Sequence, residues 1–158
     1  MPVMTTRTVI QVSSVLEPAQ PVSCCSAFYE QDWVRHLAED IFHPGCEELT
    51  RKNIATLNLH PGANISDLGC GTGTSALMLA GDPGLNISAI DLSADNIKRA
   101  QHRLSSANKT SGNVRFQQAD AHELPFEDAQ FDGVLAECTF SLFSNQETVL
   151  AEVRRVLK

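Results

Sequence analysis

The chain has 158 residues, 42% of them apolar and 20% charged, with a formal net charge of −7, which suits one domain with a buried core. The acidic balance and the lack of any Lys/Arg run argue against nucleic acid as a partner, because phosphate affinity needs clustered cations, and no stretch approaches the ~20 apolar residues of a membrane span. The five cysteines, Cys24, Cys25, Cys46, Cys70 and Cys138, lack zinc-ribbon spacing and follow no apolar export segment, so no metal is expected and the chain reads as reduced and cytoplasmic.

Residues 1–22, rich in Thr, Ser, Val and Pro, read as an irregular tail. Residues 23–60 read as a helical lid segment. Within it, Ser26–Ala38 carries Phe28, Trp33, Val34 and Leu37 at apolar positions, and His43-Pro44-Gly45 breaks the chain. A helix over Cys46–Leu57 follows, with Leu49, Ile54 and Leu57 turned inward. Residues 61–158 then alternate regularly. Asn64–Leu68 is a strand, Thr74–Ala80 a helix and Asn86–Ile90 a strand. Ser93–Ala107 is a helix with Ser93 as N-cap and Asp95 in its first turn. Val114–Gln118 and Asp132–Glu137 are strands, and Gln146–Leu157 is a helix. This order implies an α/β domain with a parallel sheet and right-handed crossovers. Arg154 and Arg155 are expected to complement the last helix's dipole and to face water.

The chemistry concentrates where the first strand becomes a helix, at Asp67-Leu68-Gly69-Cys70-Gly71-Thr72-Gly73. Glycine there permits positive φ and a close approach of backbone to a ligand, and the following helix aims free N–H groups into the same space. Nucleotide-type ligands bind at the carboxyl ends of such strands. A dinucleotide fingerprint would place its third glycine one residue later, where this chain has Thr74. Asp67 would repel a pyrophosphate but suits a ligand bearing an ammonium and a sulfonium. Asp91, at the second strand end, can accept both hydroxyls of a ribose, and Asp120 stands just beyond the third strand.

That turn resembles the first motif of the class I S-adenosylmethionine-dependent methyltransferases. Ala119-Asp120-Ala121-His122-Glu123-Leu124-Pro125-Phe126 is similar to their third-strand motif, Phe131–Glu137 to their fourth strand, and Glu147–Lys158 to the next helix. The resemblance implies a Rossmann-like doubly wound parallel sheet and S-adenosylmethionine as cofactor. It implies that Asp67 and Gly69 hold the methionine amino group and that Gly71 and Gly73, with Cys70 between them, line methionine and ribose. Asp91 would take the ribose hydroxyls and Leu92 would pack on adenine. Asp120 would bond the exocyclic amine, with Ala121 beside the ring. Glu137 and Cys138 would sit where cofactor and acceptor meet, as the candidates for a catalytic role. Family members continue past a helix ending like Arg-Val-Leu-Lys into three more strands. Strand order 3-2-1-4 is therefore expected here with strands 5–7 missing, leaving strand four as an edge open to self-association.

The expected reaction is in-line transfer of a methyl group to a small-molecule acceptor, which is chiefly positioning and desolvation work. Three alternatives stand beside it. Glu137–Leu142 and the Cys24-Cys25 pair are similar to features of arsenite methyltransferases, in which Cys138, Cys24 and Cys25 would be thiolate ligands to a metalloid. A non-catalytic cofactor-binding fragment or partner subunit is a second. A nicotinamide-dependent oxidoreductase is a third, opposed by Thr74 and Asp67. Tyr29 or Trp33 would cover the cofactor if residues 28–33 form a lid. His36, His43, His60, His102 and His122 show no paired metal spacing and read as surface or loop residues, as do Glu123, Glu127 and Asp128.

Overall fold

The structure, a computed structural model, describes residues 46–81, 84–107 and 113–158. The tail, the Ser26–Ala38 helix with its aromatic residues, and Cys24 and Cys25 lie outside the described residues.

Four strands, β1 (Asn64–Leu68), β2 (Asn86–Asp91), β3 (Asn113–Gln118) and β4 (Gly133–Leu135), form one parallel sheet in the order β3-β2-β1-β4. The helices are α1 (Cys46–Thr56), α2 (Thr74–Leu79), α3 (Ala94–Ser106) and α4 (Gln146–Val156). The central strand β1 runs Asn64-Ile65-Ser66-Asp67-Leu68, and all but its first residue are buried, as expected for a strand covered on both faces. Alternation divides its apolar side chains. Ile65 joins Ile87, Ala89, Phe116 and Leu135 in a first core with Ala76 and Leu79 of α2 and Ile97 and Ala100 of α3. Leu68 joins Ile90 and Val134 in a second core with Val149, Val153 and Val156 of α4, which recur at the helical spacing of one apolar face. Layers on both faces make the sheet doubly wound, as the motif order implied.

Local chemistry sets the helix ends. Ser93 caps α3, its Oγ accepting from the Asn96 N–H at 3.4 Å, and Asn145 caps α4, accepting from the Thr148 N–H at 3.1 Å. Two expectations need correction. The fourth strand spans three residues, whereas Asp132–Glu137 was expected. Its last ladder pair is Asp67 with Leu135; β1 runs one residue further, and the Leu68 carbonyl accepts instead from the Thr139 hydroxyl at 2.9 Å. Cys138, at φ 55°, completes the departure. Arg155 is not a solvated helix-end charge. Its guanidinium donates to the carbonyls of Leu124 (3.0 Å) and Phe126 (2.7 Å), to Asp128 (2.9 Å) and to Glu152 (2.7 Å), pinning residues 124–128 against α4. At the strands' opposite ends, Asp132 accepts from the Asn64 N–H at 2.9 Å and the Lys158 ammonium at 2.8 Å. Among the described residues β4 is an edge, and no helix is long and apolar enough to cross a membrane.

Gly73 joins the turn to both neighbouring layers. Its φ is 82°, and a Cβ there would lie 2.7 Å from Cζ of Phe116 and 3.0 Å from Cβ of Ala100. Gly73→Ala should therefore lower stability by about 2–3 kcal/mol, combining left-handed strain with overpacking. Urea unfolding of Gly73→Ala, Phe116→Leu and the double variant should give a smaller loss for the double than the sum of the singles. Strict additivity would show that the ring is not what excludes a side chain.

Candidate functional site

Past Leu68 the chain cannot continue as a strand, since the amides of Gly69 and Cys70 both donate to the Ile90 carbonyl, at 2.8 and 2.9 Å. Gly69, Gly71 and Gly73 all take positive φ, at 70°, 56° and 82°. A Cβ on Gly69 would fall 2.6 Å from Cγ2 of Thr139, so this glycine lets the loop after β4 pass over the turn. At Gly73 a Cβ would meet the ring of Phe116, 2.7 Å away, so packing alone requires glycine there. Gly71 differs from both: nothing lies within 4 Å of where its Cβ would be, and its N–H donates to Oδ2 of Asp91 at 2.8 Å. Arg103 of α3 braces the turn from behind, donating to the hydroxyls of Thr72 (2.8 Å) and Thr74 (3.0 Å). The helix that follows, α2, has only six residues, so the turn's own backbone is the main feature of this wall.

The carboxylates of Asp67, Asp91 and Asp120 stand at the carboxyl ends of three adjacent strands. Asp67 is 3% exposed, and among the described residues its Oδ2 has no hydrogen-bond partner. Burial pushes its carboxyl up to about 8, with the negative charges of Glu137 and then Asp91 adding to the effect. Glu137 is held by two hydroxyls: Thr50 donates to Oε1 at 2.8 Å and to Oε2 at 3.0 Å, and Ser75 donates to Oε2 at 2.7 Å. Thr50 is fully buried on α1. It is a site residue that the sequence reading missed, because a threonine between apolar helix positions carries no signal of a partner 87 residues away.

Asp91 accepts from the Ser93 N–H (2.9 Å) and the Asn96 amide (3.2 Å) through Oδ1, besides Gly71 through Oδ2. Leu92 follows it, 67% exposed and thus an apolar side chain open at the site. Asp120 accepts at Oδ1 from the N–H of His122 at 2.9 Å and meets the His122 ring Nδ1 at 2.6 Å. These hydrogen bonds hold its carboxyl below the usual carboxylate range. The Ala121 side chain is buried in the second core, where it anchors this loop. His122 lies in a loop, as expected, and is bonded on both ring nitrogens; its Nε2 meets Oγ of Ser144 at 3.2 Å and the Asn145 N–H at 3.3 Å.

Burial favours the neutral form of both Cys70 and Cys138. It pushes the Cys70 thiol up, as does the neighbouring Asp67, and burial followed by Glu137 pushes the Cys138 thiol up. Among the described residues no group of three or more His, Cys, Asp or Glu side chains is gathered as a metal site. Of the expected metalloid ligands Cys138 alone lies among the described residues.

A family model described as "Methyltransferase domain" matches residues 65–158. An O-methyltransferase of Aspergillus sclerotiorum is 36% identical over 126 residues, which is 80% of this chain and 47% of that protein. The crystal structure of a SAM-dependent methyltransferase from Methanosarcina mazei is 32% identical with a TM-score of 0.59, covering 66% of this chain and 52% of that one. The crystal structure of the [4+2]-cyclase SpnF is 27% identical with a TM-score of 0.71, covering 89% of this chain and 58% of that one. The chain spans about half the length of the curated relatives it matches.

Asp67 makes the ligand-free fold sensitive to pH. The folded state keeps this carboxyl protonated to higher pH than the unfolded chain does. Its contribution is therefore fully present below about pH 4 and lost as pH rises through about 8. Asp67→Asn, which keeps shape and removes the charge, should raise Tm at pH 8 by roughly 3 °C, about 1 kcal/mol for a chain of this size. The gain should vanish toward pH 4. A Tm difference independent of pH between 4 and 8 would contradict this.

Proposed function

The chain belongs to the methyltransferase-domain family, whose cofactor is S-adenosylmethionine, and from that premise we propose that it moves the methyl group of S-adenosylmethionine to a nucleophilic oxygen of a small molecule. The observation that carries this reading is the buried Asp67 carboxylate with its unpartnered Oδ2. A buried acceptor without a donor is costly in a ligand-free fold, and here it lies beside a second carboxylate, Glu137, that raises it further. A cationic amino group is the ligand chemistry that offsets both. The open space over Gly71 gives such a ligand room against the backbone.

The residues fit the cofactor along its length. Asp67 and Glu137 would hold the ammonium of its amino-acid end. Gly71 would let the backbone approach, and Asp91 has acceptor capacity left for ribose hydroxyls. Leu92 offers an apolar face to the base and Asp120 an acceptor for its exocyclic amine. When bound, the cofactor supplies an electrophilic methyl group on a sulfonium. The chain's own work is to hold and orient the ligands and to exclude water. Glu137, with both oxygens accepting from hydroxyls, is held in one orientation. Cys138 acts as a neutral residue at the bend after β4. An oxygen acceptor is supported by the O-methyltransferases among the relatives. The likeness to SpnF, described as a cyclase, favours one second reading, ligand binding in this fold without methyl transfer, so binding and turnover need separate measurement.

Calorimetric titration with S-adenosylhomocysteine should show one site, while NAD gives no heat. Near pH 7, repeating the titration in buffers of different ionisation enthalpy should reveal release of up to one proton, because the incoming ammonium favours the charged form of Asp67. Asp67→Asn should lose the proton release and weaken binding at least tenfold, as for a charge-assisted hydrogen bond of about 1.5–3 kcal/mol. Heat with NAD and none with S-adenosylhomocysteine would overturn the assignment.

A further inference from the structure

Asp120 is a half-exposed side chain whose orientation is set from outside its own strand. The His122 Nε2 faces a backbone donor, the Asn145 N–H at 3.3 Å, so this nitrogen accepts and the ring proton resides on Nδ1. Nδ1–H then donates to Oδ1 of Asp120 at 2.6 Å, and the His122 backbone N–H donates to the same oxygen at 2.9 Å. Oδ1 thus carries two donors, whereas among the described residues none reaches Oδ2. The ring itself is fixed. Phe143 meets it edge-on at 6.1 Å and 79°, and Phe140 meets Phe143 in the same way at 5.9 Å and 88°. Asn145, at the far side of the ring, is the N-cap of α4.

We infer that His122 is the positioning residue that leaves Oδ2 of Asp120 as the oxygen facing a bound base, and so sets discrimination between 6-amino and 6-oxo purines. It rests on the proposed contact between Asp120 and the base. An amino group donates to a fixed carboxylate oxygen, whereas a carbonyl group in the same place puts acceptor against acceptor. A carboxylate free to rotate discriminates less, because water and other partners satisfy it whichever base is present. His122 ties that orientation to the loop after β4 and to the start of α4, so the base-reading end shares one support with that loop.

The test compares S-adenosylhomocysteine with S-inosylhomocysteine by calorimetry on the wild-type chain, His122→Phe and His122→Gln. Wild type should favour the adenine compound tenfold or more. His122→Phe keeps the ring and its edge contact but deletes both nitrogens, and its preference should fall to about twofold, with the loss confined to the adenine compound. His122→Gln retains a donor and an acceptor and should keep most of the preference, which also guards against a Phe variant that does not fold. If wild type discriminates and His122→Phe discriminates equally, or loses both ligands in equal proportion, the inference is wrong while the cofactor reading stands. If wild type binds neither compound, both fall.

Discussion

A carboxylate buried at the end of the central strand, with one oxygen unpartnered, is the constraint around which the molecule is arranged. Asp67 sits between Ser66 and Leu68 in a strand covered on both faces, and the same burial that makes β1 a good core strand makes an ionised side chain there expensive. The surroundings do not relieve that expense. Two further carboxylates stand near enough to add to it, and the hydroxyls of Thr50 and Ser75 go to Glu137, not to Asp67. A protein that stabilised its ligand-free state would place a donor here. This one leaves the acceptor buried and unpartnered, which is how a binding site stores free energy for its ligand.

The turn after β1 shows three glycines used for three reasons. Gly69 yields to a side chain from the loop after β4, Gly73 yields to the ring of Phe116, and Gly71 yields to empty space. A pattern of alternating glycines therefore does not describe three equivalent contacts with a cofactor. Two of the three keep neighbouring layers close, and that closeness brings Arg103 within reach of Thr72 and Thr74. The third leaves room. The shape of this wall thus depends on residues of α3 and of the loop after β4.

Much of this was legible in the residues alone. The strand and helix order, the parallel sheet, the Ser93 cap and the acidic residues at three strand ends follow from local alternation, punctuation and motif spacing, all of which act over a few residues, and the family resemblance added that the sheet is doubly wound. What escaped is long-range. Thr50 reaches Glu137 across 87 residues, and Arg155 reaches Leu124 across 31. No local pattern marks a helix threonine as buried or a helix-end arginine as a clamp. The fourth strand was read as six residues, but the ladder with β1 holds only Gly133 to Leu135, and the segment bends away before Cys138, at φ 55°. His122 read only as a loop histidine because both contacts of its Nε2 lie on a loop 22 and 23 residues further on.

The division of the core into two layers bears on how the site moves. The glycine turn is anchored in the first core through Ala76 and Phe116, while the loop bearing Asp120 is anchored in the second through Ala121 and Leu124 and clamped by Arg155. Each layer is a natural unit of local opening. A ligand lying from Asp67 to Asp120 would therefore span two such units and act as a strut between them. Its signature would be slowed amide exchange on both faces of the sheet at once, including positions in α4 that face away from the cavity, because neither layer could open while the strut was in place.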